Sequence, residues 1–110
     1  MILLLLACAG APDPCASMCS AAGELLGACV EDWELDWPAV GYADEADFLG
    51  SCETWAWEAR LLEREARRQG EAERGAVDLL CEQREVDLRA AIEEPACEAW
   101  TAIDWSEMPW

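Results

Sequence analysis

Seven cysteines and twenty-four carboxylates are the groups that could do chemistry in this chain of 110 residues, because histidine and lysine are both absent. Without an imidazole there is no Ser–His or Cys–His nucleophilic pair. No glycine-rich phosphate loop accompanies the acids. Paired carboxylates can be picked out anywhere among so many, so their presence selects no acid–base site. No Cys-x-x-Cys dithiol stands beside a strand-and-helix pattern, which removes the usual thiol oxidoreductase. The chain reads as a non-enzyme that calls for no cofactor.

Cross-linking or metal binding is what remains for the cysteines. Cys15, Cys19, Cys29, Cys52, Cys81 and Cys97 are even in number once Cys8 is set apart, as three disulfides in an oxidising compartment require. Cys15 and Cys19 share a helix face at i, i+4 and look to two different partners. A thiolate zinc site built from that pair and two other cysteines is the rival chemistry, weakened by the lack of histidine and of Cys-x-x-Cys knuckles. Asp32, Glu34 and Asp36 alternate like the first half of a calcium loop. Trp37 stands in the place of that loop's glycine, and Ala43 in the place of its bidentate glutamate. Metal handling, through these acids for calcium or through reduced cysteines for zinc, is therefore the alternative function.

The chain opens MILLLLACAGAPDPC. Its apolar run is far shorter than the ~20 residues needed to span a bilayer. Leu5, Leu6, Ala7 and Cys8 fill the pattern of leucine, variable residue, small residue and cysteine, which resembles the lipobox of bacterial lipoprotein signal peptides. The resemblance implies that Cys8 is lipidated and becomes the mature N-terminus, and that Ala9 in the following position permits transfer to the outer membrane. In plain secretion a cut after Ala9 would instead leave a periplasmic or extracellular protein. Residues 1–7 are thus the targeting segment, 8–13 a short linker and 14–110 one helical cysteine-rich domain. The net charge of −17 repels phosphate backbones and anionic lipid surfaces, so no nucleic acid is expected and a lipid anchor would be the sole membrane contact.

The elements that must position these residues are helices. Ala, Leu, Glu and Arg dominate while β-branched residues are sparse, so the expected fold is all-α, a small disulfide-stabilised bundle of three longer helices and a short C-terminal one. Asp13 and Pro14 start the first, whose face carries Cys15, Cys19, Ala22, Leu26 and then Cys29 or Val30. From Cys29 to Tyr42 the period breaks, which reads as a loop. Asp44 caps the second helix, whose stripe is Phe48, Cys52, Trp55, Ala59, Leu62 and Ala66. A turn near Gly70 to Glu73 leads to a third with Val77, Leu80, Cys81, Leu88, Ala91 and Ile92. The two stripes stay nearly in phase, so one long helix is the competing reading of this region. A short last helix spans 96–105.

Folding a hairpin at Gly70 to Glu73 brings Cys52 towards Cys97, directs Cys81 to the first helix, and offers Glu63 as partner to Arg84, which lies within an apolar stripe. Trp57 and Leu61, with Leu79 and Val86, point away from the stripes. Coverage by the first helix is the favoured account of them. Otherwise Trp57 and Leu61, or the C-terminal tryptophan tail with Trp105 and Trp110, offer a surface for a protein partner. The function expected is that of an exported, lipid-anchored envelope protein serving as a binding or structural module.

Overall fold

A computed structural model describes residues 13–93. They form three α-helices, α1 (Pro14–Asp32), α2 (Glu45–Arg68) and α3 (Ala76–Glu93), with a short 3-10 helix at Trp37–Val40. The fold is all-α, and no strand occurs among the described residues. Cys8, Cys97, the expected short helix at 96–105 and the tail with Trp105 and Trp110 lie outside them.

α1 begins where the sequence predicts. The Asp13 carboxylate accepts hydrogen bonds from the backbone N–H groups of Cys15 and Ala16, at 2.8 and 3.2 Å, and Pro14 occupies the first turn, where a missing N–H costs nothing. The helix runs on to Asp32, further than the break in period at Cys29 suggests. Its burial is also wider than one cysteine-bearing stripe. Met18, Ala21 and Leu25 are as buried as Cys15, Cys19, Ala22 and Leu26. α1 is the central helix, packed against both α2 and α3.

Small residues make this close packing possible. A Cβ placed on Gly23 would come within 3.1 Å of Leu49 Cδ2 and 3.6 Å of Phe48 Cδ1. Glycine here costs the helix about 1 kcal/mol relative to alanine, and in exchange α2 approaches the α1 backbone. Phe48 itself is fully buried, edge-on to Tyr42 at 5.1 Å and tilted against Trp37 at 6.0 Å. The start of α2 is fixed as expected: Asp44 accepts from the Asp47 N–H at 2.8 Å, and Asp47 accepts from the Ala43 N–H at 2.9 Å.

The region from α2 to α3 is a hairpin, not one long helix. The N–H of Glu71 donates to the carbonyl of Ala66 at 2.8 Å, and that of Gly70 to Arg67 at 3.1 Å. This is the paired-bond termination that a left-handed residue permits. Gly70 supplies that conformation at φ 72°, and Gly75 a second at φ 83° before α3 begins. On the other side of the turn Glu63 accepts from the Val77 N–H at 2.8 Å, satisfying one of the orphan donors at the start of α3. Arg60 meets Asp78 and Glu63 meets Val77, so the hairpin closes nearer its α2 end than a centre at Gly70 to Glu73 requires. The expected Glu63–Arg84 pair therefore does not form. Glu63 serves Val77 and lies 3.7 Å from Arg67.

Two further expectations need correction. Leu62, placed on the core stripe by its spacing, is 72% exposed, whereas Ala56 is buried. The buried row of α2 is Phe48, Cys52 and Ala56, because α2 runs antiparallel to α1 and reaches the α1 N-terminus at Arg60. Past that point α1 no longer flanks it. Likewise α1 does not cover Trp57, Leu61, Leu79 and Val86, all of which are exposed. α1 packs on the stripe faces instead.

Candidate functional site

The cysteines show how the central helix is held. Cys15 is bonded to Cys81 of α3 and Cys19 to Cys52 of α2, with Cα separations of 4.9 and 5.7 Å. Adjacent turns of α1 are thus stapled to two different neighbours, as the i, i+4 spacing suggests. Cys81 meets α1 as expected. Cys52 does not await Cys97, because α1 wedges between the two arms of the hairpin and each arm meets α1 more than the other arm. All four sulfurs are buried. Cys15 and Cys19 are committed to these bonds, which leaves them unable to serve a thiolate zinc site. Cys29 is buried on the last turns of α1.

Next to the Cys15–Cys81 bond lies an ionic clamp that sequence spacing did not reveal. The Arg60 guanidinium donates to both carboxylate oxygens of Asp13, at 2.7 and 2.8 Å, and to Asp78 Oδ1 at 2.7 and 3.1 Å. One side chain of α2 thereby ties the cap of α1 to the first turn of α3. The available hint was that Asp13 and Asp78 both sit at helix N-termini, where carboxylates are favoured, while Arg60 is the first cation in the chain. The hydrogen bond from Arg60 is the main reason that the Asp13 carboxyl is held down at about 2, with its own backbone donors adding to the effect. The same bond pushes Arg60 upward, so it stays charged.

The sign of the pH effect follows. An unfolded aspartate titrates near 4 and Asp13 in the fold near 2, so the clamp stabilises fully above about pH 4 and loses its contribution as pH falls from ~4 to ~2. Asp13 and Arg60 are 46% and 34% exposed at their side chains, and solvent screening limits the contribution to about 1 kcal/mol. Arg60→Ala is expected to lower the unfolding free energy at pH 7 by that amount, measured by urea denaturation. At pH 2 the variant and the parent should converge.

Asp32, Glu34 and Asp36 are not gathered round a point. Glu34 ends α1 in the left-handed conformation, φ 56°, with its N–H on the Glu31 carbonyl and the N–H of Leu35 on Val30. Asp36 caps the 3-10 helix by accepting from the Ala39 N–H at 3.1 Å. Among the described residues no group of three His, Cys, Asp or Glu side chains is placed to hold a metal ion. The alternation that resembles a calcium loop is thus the signature of one helix end followed by one helix start. Because a left-handed non-glycine residue costs about 1 kcal/mol, Glu34→Gly is expected to stabilise the domain by up to that amount, measured as a higher urea midpoint.

The surface of the described residues includes two hollows. A cleft of about 230 Å³ lies at the clamp, between Asp13, Cys15, Glu53, Trp57 and Arg60, and is smaller than the ~300 Å³ that ligand sites usually reach. A shallow groove of about 690 Å³ runs along α2 past Asp47, Ser51, Trp55 and Glu58. Its Asp47 carboxylate is taken up by the Ala43 N–H. Trp57 at 64% exposure and Leu61 one turn on form an apolar strip on the outer side of α2. Burial raises the Tyr42 hydroxyl above its ordinary range, with Asp47 adding to it.

The two disulfides point to an oxidising, exported environment. No helix among the described residues is long and apolar enough to cross a membrane. No family model, curated protein or solved structure matches the chain.

Proposed function

We propose that the chain is an exported envelope protein, anchored by lipid at Cys8, that serves as a non-enzymatic binding or structural module. The observation that carries this reading is the pair of buried disulfides that staple the central helix to both neighbours, since such bonds persist only where thiols are oxidised. Cys8 lies five residues before Asp13, so an anchor there would hold the Arg60 clamp close to the membrane. Two acyl chains suffice for stable attachment, where one gives only reversible binding. The net charge of −17 keeps the body of the domain off anionic headgroups. The exposed strip of Trp57 and Leu61 is then the contact surface for a protein partner, because exposed aromatic anchors dominate such interfaces.

The test is the mass of the N-terminal peptide from protein recovered from a bacterial membrane fraction. The reading expects a chain that starts at Cys8 and carries the added mass of acyl chains. A start at Gly10 without lipid would replace the anchor with plain secretion, and an intact Met1 in an untreated cytosolic fraction would remove the reading altogether.

A further inference from the structure

We infer that the side of the α2–α3 hairpin carrying Trp57, Leu61, Leu79 and Val86 binds a basic amphipathic helix of a partner protein. The inference rests on the contact surface proposed above, to which it adds a second helix and the chemistry of the partner.

The hairpin gathers these four side chains on one side. α2 and α3 run antiparallel, and Arg60 faces Asp78 across them. At about 100° per residue, Trp57 and Leu61 are turned roughly 60° and 100° from Arg60, and Val86 and Leu79 roughly 80° and 100° from Asp78, all in the same sense. Because the two helices point in opposite directions, equal senses of rotation lead to the same side of the pair. Glu63 and Val77 are turned from Arg60 and Asp78 in the opposite sense, and they meet each other on the other side. There Cys15 of α1 also approaches Val77. Trp57, Leu61, Leu79 and Val86 remain between 40% and 69% exposed, so the fold leaves this side uncovered.

Charge selects the partner. Glu53 and Glu58 stand four positions before and one after Trp57, and Glu82 and Asp87 stand likewise about Val86; all four are exposed. Among the described residues none of them has an ion pair, whereas Arg89 is taken by Glu85 and Arg60 by Asp13 and Asp78. Arg64 and Arg68 lie towards the turn, so the apolar strips are framed by acid at the end away from it. A helix with an apolar stripe and lysine or arginine along its edges complements that frame. The hollow of about 230 Å³ beside Glu53 and Trp57 takes one such cationic side chain, held by the carboxylate and the indole face. A second copy of the chain is the wrong occupant, because its own charge of −17 would set acid against acid.

The test uses the full oxidised chain and a synthetic helix of about 18 residues, five turns, with leucines on one face and lysines on the other. Two peptides serve as comparison, one with glutamate for lysine and one scrambled so that the apolar face is lost. Titration calorimetry gives the affinities, and hydroxyl-radical footprinting read by mass spectrometry gives the contact. The lysine helix is expected to bind in preference to both and to protect Trp57, Leu61, Leu79 and Val86 from labelling. Trp57→Ala combined with Val86→Ala should weaken it about 10-fold or more, while Leu35→Ala, exposed beyond the end of α1, should bind as the parent does. Parent-like affinity in the double variant, or equal binding of the scrambled peptide, would overturn the inference. Equally tight binding of the glutamate helix would overturn the basic partner and leave the contact surface in place. Protection already present in the free chain would also overturn it, assigning the face to a second copy if it rises with protein concentration and to the same chain if it does not. A chain with lipid on Cys8 that ignores the lysine helix would overturn this inference alone.

Discussion

Replacing Cys15 and Cys81 together by alanine is expected to lower the unfolding free energy by about 3–4 kcal/mol. The bond closes a stretch of 66 positions, but the Cys19–Cys52 bond already shortens the path by 33. The remaining loop is of a size for which chain-entropy arguments give a stabilisation in this range. Alanine at both positions avoids leaving a lone buried thiol, so the change reports the cross-link itself. For a domain of this length each kcal/mol moves the melting temperature by roughly 4–8 °C. A drop of some 15–30 °C in a thermal melt followed by circular dichroism is the corresponding result, and a change under ~1 kcal/mol would show that the staple contributes little.

Phe48→Ala is expected to cost about 3–5 kcal/mol, as truncation of a fully buried aromatic does. The ring lies beneath α1 at the one place where Gly23 lets the helices approach closely, and Tyr42 and Trp37 close over it. Little of that space can collapse, because the disulfide at Cys52 holds α2 at its distance one turn further on. Leu62→Ala is the informative contrast. It sits on the same i, i+4 and i, i+3 series in the sequence yet is exposed in the fold, so its truncation should change stability by less than about 0.5 kcal/mol. Equilibrium urea denaturation of the two variants decides between the spacing rule and the structure.

That contrast also marks how far the sequence could be read. Helix starts were legible because Asp13 and Asp44 are short acceptors that can satisfy orphan N–H groups, and the structure uses both. The turn at Gly70 was legible for the same local reason, a glycine where the chain must turn left-handed. Periodicity stated which residues share a face but not which neighbour, if any, meets that face. It does not show that Cys52 faces α1, so spacing matches Cys52 to Cys97 where the fold bonds it to Cys19. Nor does it show where the hairpin closes, so spacing matches Glu63 to Arg84 where the fold gives it Val77. Trp57, expected under α1, lies outside.

The Arg60 clamp was missed because its members are 47 and 18 residues apart, and no local pattern links them. The acids at Asp32, Glu34 and Asp36 are locally visible but ambiguous. Alternating carboxylates suit a metal loop, but they suit helix ends equally well, since both need short acceptors next to turning backbone. Trp57, Leu61, Leu79 and Val86, which spacing places off the stripes, are all exposed in the fold.

The measurement that bears most directly on the account is a count of thiols in the native protein. Denatured under alkylating conditions without reductant, the chain should carry no label on Cys15, Cys19, Cys52 or Cys81, and after reduction all four should be labelled. The central claim is that α1 is stapled to both of its neighbours in an oxidising compartment. Label on all four before any reduction would contradict both the staples and the exported setting.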